Sequence, residues 1–173
     1  MSRKPAPRRA DYARFLPVTT RWMDNDVYGH VNNAHYYSFF DSAINRFLVE
    51  RGGLDIHRGA VVGWVVSSSC DYFAPVAYPE ELEVGLRVDR LGRSSVRYGL
   101  GVFRAGDEEA RAAGGVVHVF VDRATSRPIP LPGPLRSALE AIARGGEAPG
   151  DRLLSGGPPR DRARGSGGRG RAR

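Results

Sequence analysis

The chain is nearly devoid of cysteine and lysine. Cys70 is the single cysteine among 173 residues, which excludes an intrachain disulfide framework and fits a reducing compartment. No run of about 18 apolar residues occurs, so the sequence predicts no membrane-spanning helix. The opening "MSRKPAPRRADYARFLPV" carries paired arginines but lacks the apolar segment that an export signal needs. These absences lead us to expect a cytoplasmic protein with no membrane contact. Lys4 is the only lysine. Arginine replaces it everywhere else, which lowers the weight of any arginine-rich stretch as a signal.

Basic charge is plentiful, with a formal net charge of +7, but it is concentrated at the ends of the chain. Residues 1–10 hold four basic groups and no acid, residues 145–173 hold seven arginines against three acids, and residues 11–144 carry a net charge of −1. A nucleic-acid-binding domain would concentrate its charge within the folded part. The stretch "GGEAPGDRLLSGGPPRDRARGSGGRGRAR" is rich in Gly, Arg and Pro and poor in core-forming residues, so it reads as disordered. Such a tail binds anionic polymers weakly and non-specifically, or acts only as a solubilising extension. The expected organisation is a disordered basic leader over 1–10, one domain over 11–144, and a disordered tail over 145–173.

Within the domain, hydrophobic periodicity sets the element types. Phe15 to Trp22 reads as a first strand. From Asn33 or Ala34 to Arg51, apolar residues fall at 36, 37, 40, 43, 44, 47 and 48, the spacing of a helix. Asn32 or Asn33 is placed to cap its start and Gly52 to stop its end. The segments "AVVGWVVSSSCDYF", "LEVGLRVDRL", "SVRYGLGVF" and "ARAAGGVVHVFVD" read as strands, with Gly92-Arg93 and Gly106-Asp107 marking hairpin turns. A short amphipathic helix is expected from Pro134 to Gly145. A helix as apolar as the first needs cover on more than one side. A curved antiparallel sheet wrapped around it supplies that cover, so the class is α+β.

The segment "RWMDNDVYGHVNN" packs two aspartates, a histidine and two asparagines against the start of this helix. A calcium loop is excluded: Tyr28 takes the fifth ligand position and His35 the twelfth, where a bidentate Glu is needed. Asp24, Asp26 and His30 as a transition-metal site has no second His-rich cluster behind it. The segment "VGWVVSSSCD" holds no nucleophile elbow. Two readings stay open on the residues alone. In one, the Asp and Asn side chains cap and turn the chain. In the other, Asp26 attacks a carbonyl or activates water while the helix-terminal N–H groups near residues 30–34 hold an oxyanion.

The same segment, "RWMDNDVYGHVNNAHYYSFFDSA", resembles the signature of hotdog-fold acyl-CoA thioesterases of the 4-hydroxybenzoyl-CoA thioesterase class. The pattern is D-x-D-x-x-G, then a hydrophobic residue or His, then Val, followed by a Tyr-containing helix. The likeness extends over roughly residues 15–142. It implies a hotdog fold, a curved antiparallel sheet wrapped around a long central helix. It further implies hydrolysis of an acyl-CoA to a carboxylic acid and CoA, with Asp26 as nucleophile or general base. Asp24 falls on the first, structural aspartate, Gly29 on the close turn, His30 on a position lining the site, and Asn33 near the thioester. Tyr28 and Tyr37 join Gly29 as substrate contacts, and Phe40 lines the acyl pocket. Arg93, Ser94 and Ser95, in "LGRSS", occupy the place that holds CoA phosphates. The resemblance implies a homodimer or homotetramer, with no metal and no cofactor. The rival readings are a thioesterase acting on acyl carrier protein and a non-catalytic module that binds acyl-CoA.

Overall fold

The computed structural model describes residues 5–143 of the chain. The expected tail over 145–173 lies outside the described residues, as do the first four residues of the leader. Five strands and two helices follow in order: β1 (Arg14–Thr19), α1 (Asn33–Glu50), β2 (Val61–Tyr72), β3 (Glu81–Leu91), β4 (Ser95–Arg104), β5 (Ala112–Asp122) and α2 (Gly133–Glu140). The strands form one antiparallel sheet in the order β1-β3-β4-β5-β2, so β1 and β2 are its two edges. This is the expected α+β hotdog architecture, with the curved sheet around α1. No described helix is long and apolar enough to cross a membrane.

Helix α1 forms where the periodicity predicts it, and its buried stripe runs through Tyr36, Phe39, Phe40, Ala43, Ile44, Phe47 and Leu48. Phe40, Ile44 and Leu48 are fully buried, each contributing about 1.5–3 kcal/mol by leaving water. They meet the inward rows of β3 (Leu82, Val84, Leu86, Val88) and β4 (Val96, Tyr98, Leu100, Val102) in one core cluster. These are the alternating faces legible in the sequence. Helix α2 adds Leu135 and Leu139 to the same cluster.

The outer face of the sheet carries a second cluster. Tyr12, Phe103, Ala110 and Ala113 are buried there, with Phe15 and Phe73 beside them. The Arg9 guanidinium lies 4.4 Å from the Phe15 ring centre and 5.1 Å from that of Phe103. It also pairs with Glu83 at 2.9 Å. Pro7 accepts the Ala110 N–H, and Arg8 bridges Glu109. Pro7, Arg8 and Arg9 are therefore bonded to the sheet and its β4–β5 turn, ahead of the start at residue 11 expected from composition. Arg9, counted as tail charge, is a cation packed on two aromatic rings.

Three other boundaries differ from expectation. The chain leaves β1 at Thr19 and makes a 3-10 turn over Trp22–Asp24. At the end of α1, Arg51 closes the helix and Gly53, with φ 66°, takes the left-handed conformation. Gly52 is instead packed so closely that a Cβ would lie 2.6 Å from Leu135 Cδ1. Helix α2 ends at Glu140 because the chain turns to β3, where the Ile142 carbonyl accepts the Val88 N–H at 2.9 Å.

Strand β2 lies against β5 at Gly114, where an added Cβ would collide with the Ser69 carbonyl. Backbone on a hydrogen-bonded ladder cannot give way without losing its pairing. Gly114→Ala is expected to lower unfolding stability in urea by about 1–3 kcal/mol. Amide exchange should accelerate along β2 ahead of β3 and β4.

Candidate functional site

The site is built from the connection between β1 and α1. Thr20 Oγ1 donates to the Glu80 carbonyl at 3.1 Å, tying the exit of β1 to the start of β3. Asp24 comes next and its side chain has no exposed surface. One oxygen accepts the Arg21 backbone N–H at 2.8 Å, and the other accepts Arg21 Nε at 3.0 Å. His35 Nδ1 stands 3.8 Å from the second oxygen. Burial pushes the Asp24 carboxyl upward, but the hydrogen bonds from Arg21 outweigh it and hold the group below its ordinary value. The Asp24 carbonyl accepts the Asn32 N–H at 2.9 Å, so one residue fixes both ends of the loop.

Asp26 stands at the mouth of α1 within that loop. Its N–H donates to the His30 carbonyl at 2.9 Å, and its own carbonyl accepts from the Gly29 N–H at 3.0 Å. Gly29 closes the turn at φ 82°, a conformation that glycine adopts without strain. The half-buried Asp26 carboxylate accepts from the Tyr28 N–H at 2.9 Å and from Asn32 Nδ2 at 3.4 Å. Asn32 Oδ1 meanwhile accepts the Ala34 N–H at 3.0 Å, the N-cap bond of α1. A single amide thus links the carboxylate to the helix end. Two hydrogen bonds secure the loop from outside: Tyr78 N–H donates to Asn25 Oδ1 at 3.0 Å, and Val31 N–H to the Val76 carbonyl at 2.9 Å.

Of the two asparagines, Asn32 is the cap and Asn33 is the first helical residue, with an exposed side chain. The cap changes the supply of helix-end donors. Asn32 accepts from Ala34 through its side chain and from His35 through its carbonyl, whereas the Asn33 N–H has no acceptor among the described residues. Tyr72, at the end of β2, donates its hydroxyl to the Asn33 carbonyl at 3.3 Å and holds that first turn from the side.

The remaining predicted residues divide into two groups. Tyr28 and His30 are exposed beside Asp26, and Tyr37 follows Asn33 by one helical turn, its ring against Phe40. Trp22, Met23 and Val27 are exposed there too, leaving an apolar surface around the carboxylate. Arg93, Ser94 and Ser95 lie at the other end of β3, around its turn into β4. Their carbonyls accept from Leu131, Phe120 and Gly92 in turn. Since β3 begins beside Thr20 and spans 11 residues, that turn is about 36 Å from the loop along the strand. Within one chain, therefore, these residues do not join Asp26. Sequence reasoning weighed Asn32 only as a cap and did not consider Arg21. The signals were the Asn-Asn pair ahead of the helix and the three-residue spacing of Arg21 and Asp24.

Residues 18–139 match the profile of the thioesterase-like superfamily. Among solved structures, the PA5185 protein of Pseudomonas aeruginosa strain PAO1 is 59% identical, with a TM-score of 0.80 over 83% of this chain and all of that one. A thioesterase of Thermus thermophilus, solved with coenzyme A and Zn, is 33% identical. Its TM-score is 0.63 over 74% of this chain and 98% of its own. The uncharacterized protein YsmA of Bacillus subtilis (strain 168) is 25% identical over 88 residues, and the match spans 59% of that relative's length.

The two aspartates are expected to separate by experiment. Asp24→Asn, which leaves Arg21 facing a neutral amide in a buried pocket, should lower the melting temperature clearly, whereas the half-exposed Asp26→Asn should shift it little. Because the Asp24 carboxyl is held below its unfolded value of 3.8, its stabilisation is complete above that pH and is lost as pH falls through the lower, folded value. Thermal melts at pH 7 and along an acid series measure both effects, and Asp24→Asn should flatten the acid limb.

Proposed function

The chain belongs to the thioesterase-like superfamily, and on that premise we propose that it hydrolyses an acyl-CoA thioester to a carboxylic acid and free CoA. The observation that carries this reading is the Asp26 carboxylate at the open end of α1, beside the acceptor-free Asn33 N–H. In the general-base route Asp26 takes a proton from water as the oxygen adds to the thioester carbonyl. In the nucleophilic route Asp26 adds first, CoA leaves as the thiolate, and water cleaves the resulting anhydride. Either way the carbonyl oxygen becomes an oxyanion. The Asn33 amide, reinforced by the positive end of the helix dipole, is placed to receive it. The Asn33 side chain and His30 flank the same point and orient the carbonyl or the water. The Tyr28 N–H and Asn32 amide keep Asp26 aimed without consuming all its lone pairs. The exposed faces of Tyr28 and Tyr37 lie on the side where the substrate arrives.

The working unit we propose is at least a homodimer. Strand β2 is an edge of 12 residues that carries no charged residue before Asp71. Trp64, Val65 and Val66 on it are each about half exposed (48–53%). A long apolar edge without charge or proline is a template for another strand, and a second copy satisfies it by two-fold symmetry. Arg93, Ser94 and Ser95, too far from their own Asp26, are then free to serve the CoA phosphates bound at a neighbouring site. Arg93 suits that role through its forked donors. A cytoplasmic location agrees with the lone thiol, Cys70, which burial pushes up to about 11 and so keeps protonated.

Thiol release from a panel of acyl-CoA and acyl-carrier-protein thioesters tests the proposal. Wild-type protein should turn over at least one of them, and Asp26→Asn should cut kcat by about 10²–10⁴-fold. Single turnover in ¹⁸O-water tests the nucleophilic route, since label in Asp26 requires an anhydride opened by water at its aspartyl carbonyl. A folded protein that binds acyl-CoA without cleaving any thioester would overturn the enzymatic reading in favour of a binding module. Val65→Lys, which charges the free edge of β2, should shift the protein towards monomer in sedimentation and lower activity with it.

A further inference from the structure

The Asp26 carboxylate is the last member of a chain of hydrogen bonds that begins on the sheet. The Tyr72 hydroxyl donates to the Asn33 carbonyl at 3.3 Å. That carbonyl and the Ala34 N–H belong to one peptide unit, and the N–H donates to Asn32 Oδ1 at 3.0 Å. The same side-chain amide then donates from Nδ2 to Asp26 Oδ2 at 3.4 Å. Its orientation is fixed, because the backbone N–H needs the amide oxygen and the carboxylate needs the amide nitrogen.

Two amides thus stand in series between Tyr72 and Asp26. A donor on an amide oxygen polarises the group and makes its N–H a stronger donor, so bonds in such a chain reinforce one another. The Nδ2 link is the longest of the three, and it is the one with room to tighten when substrate binds.

Tyr72 is the anchored end of the chain. It closes β2 opposite Ala112 of β5. The next two N–H groups, of Phe73 and Ala74, both donate to the Arg111 carbonyl, at 2.8 and 3.0 Å. The Tyr72 ring meets that of Tyr36 edge-on with centres 5.1 Å apart, and Tyr36 is buried in the core. The Cys70 thiol lies beside the hydroxyl, but sulfur is a weak acceptor and the carbonyl takes the proton. Burial, with Cys70 adding to it, pushes the hydroxyl upward, so it stays protonated and keeps donating. The sheet therefore reaches the mouth of α1 through one hydroxyl.

We propose that Tyr72 is a positioning residue for the Asp26 carboxylate, acting through the peptide between Asn33 and Ala34 and through the Asn32 side chain. The inference rests on the thioesterase reading above and adds to it a residue remote from the reacting atoms. Loss of the hydroxyl leaves ring, strand and helix cap in place but releases the first link. Asp26 is then held less firmly, and the cost falls on the chemical step rather than on substrate binding.

Tyr72→Phe keeps the ring contact and should lower kcat about three- to tenfold, the worth of one hydrogen bond, with KM and the unfolding midpoint unchanged. Asn32→Ser keeps a capping oxygen but cuts the chain, and should lower kcat at least as much. In the Asn32→Ser background Tyr72→Phe should cost nothing further, because its route to Asp26 is already cut. Wild-type kcat in Tyr72→Phe, or losses that multiply independently in the double variant, would overturn the proposal while leaving the thioesterase reading intact. A second readout needs no turnover. In [¹⁵N]asparagine-labelled protein the Asn32 side-chain amide is identified by its absence from Asn32→Ser. Tyr72→Phe should move its proton resonances upfield, while those of Asn45, bonded to Asp41 about three turns further along α1, stay in place. If no thioester is cleaved, this spectrum decides alone: a shifted Asn32 amide upholds the chain, and an unmoved one overturns it.

Discussion

Asp24 is buried where β1 hands the chain to α1, and both of its oxygens are engaged by Arg21. Its carbonyl simultaneously accepts the Asn32 N–H, so one residue closes the loop from 24 to 32 at its base. A carboxylate in such a place is tolerated only because its partner is adjacent and its bonds are complete. The benefit is geometric. With the loop closed at its base, Asp26 is held by backbone turns and by Asn32, and the carboxylate stays open towards solvent at the helix end. The neighbouring aspartates thus differ in role because they differ in environment, one enclosed and bonded, the other half open.

The sheet and the helix had clear signatures in the sequence because each obeys one period. The row Leu82, Val84, Leu86, Val88 cannot be read as a helix, and the stripe from Tyr36 to Leu48 cannot be read as a strand. Boundaries were less legible where tertiary contacts decide them. Helix α2 stops at Glu140 because Ile142 finds Val88, a residue more than fifty positions earlier. Arg9 looked like part of a charged tail because composition has no knowledge of Phe15 and Phe103.

For the site, local sequence located the loop but not the assignment of tasks within it. Asn32 and Asn33 are indistinguishable as cap formers until the helix phase is fixed. The structure gives the cap to Asn32 and leaves the Asn33 amide without an acceptor. Arg93 illustrates the converse limit. Its motif lies near strand ends in the sequence, but only strand order reveals that β3 carries it away from Asp26.

The way Arg9 lies over the outer aromatic cluster bears on how the molecule can be handled. Its guanidinium covers Phe15 and Phe103, while the backbone of Pro7 and Arg9 is bonded to the β4–β5 turn. A trimmed start at Tyr12 would delete this cover and uncover aromatic surface on the back of the sheet, inviting non-specific self-association. Affinity handles and fusion partners belong ahead of Pro5, joined by a spacer that leaves residues 5–10 in their native path. A poorly behaved truncated preparation would then reflect the missing clasp rather than any weakness in the helix-filled interior.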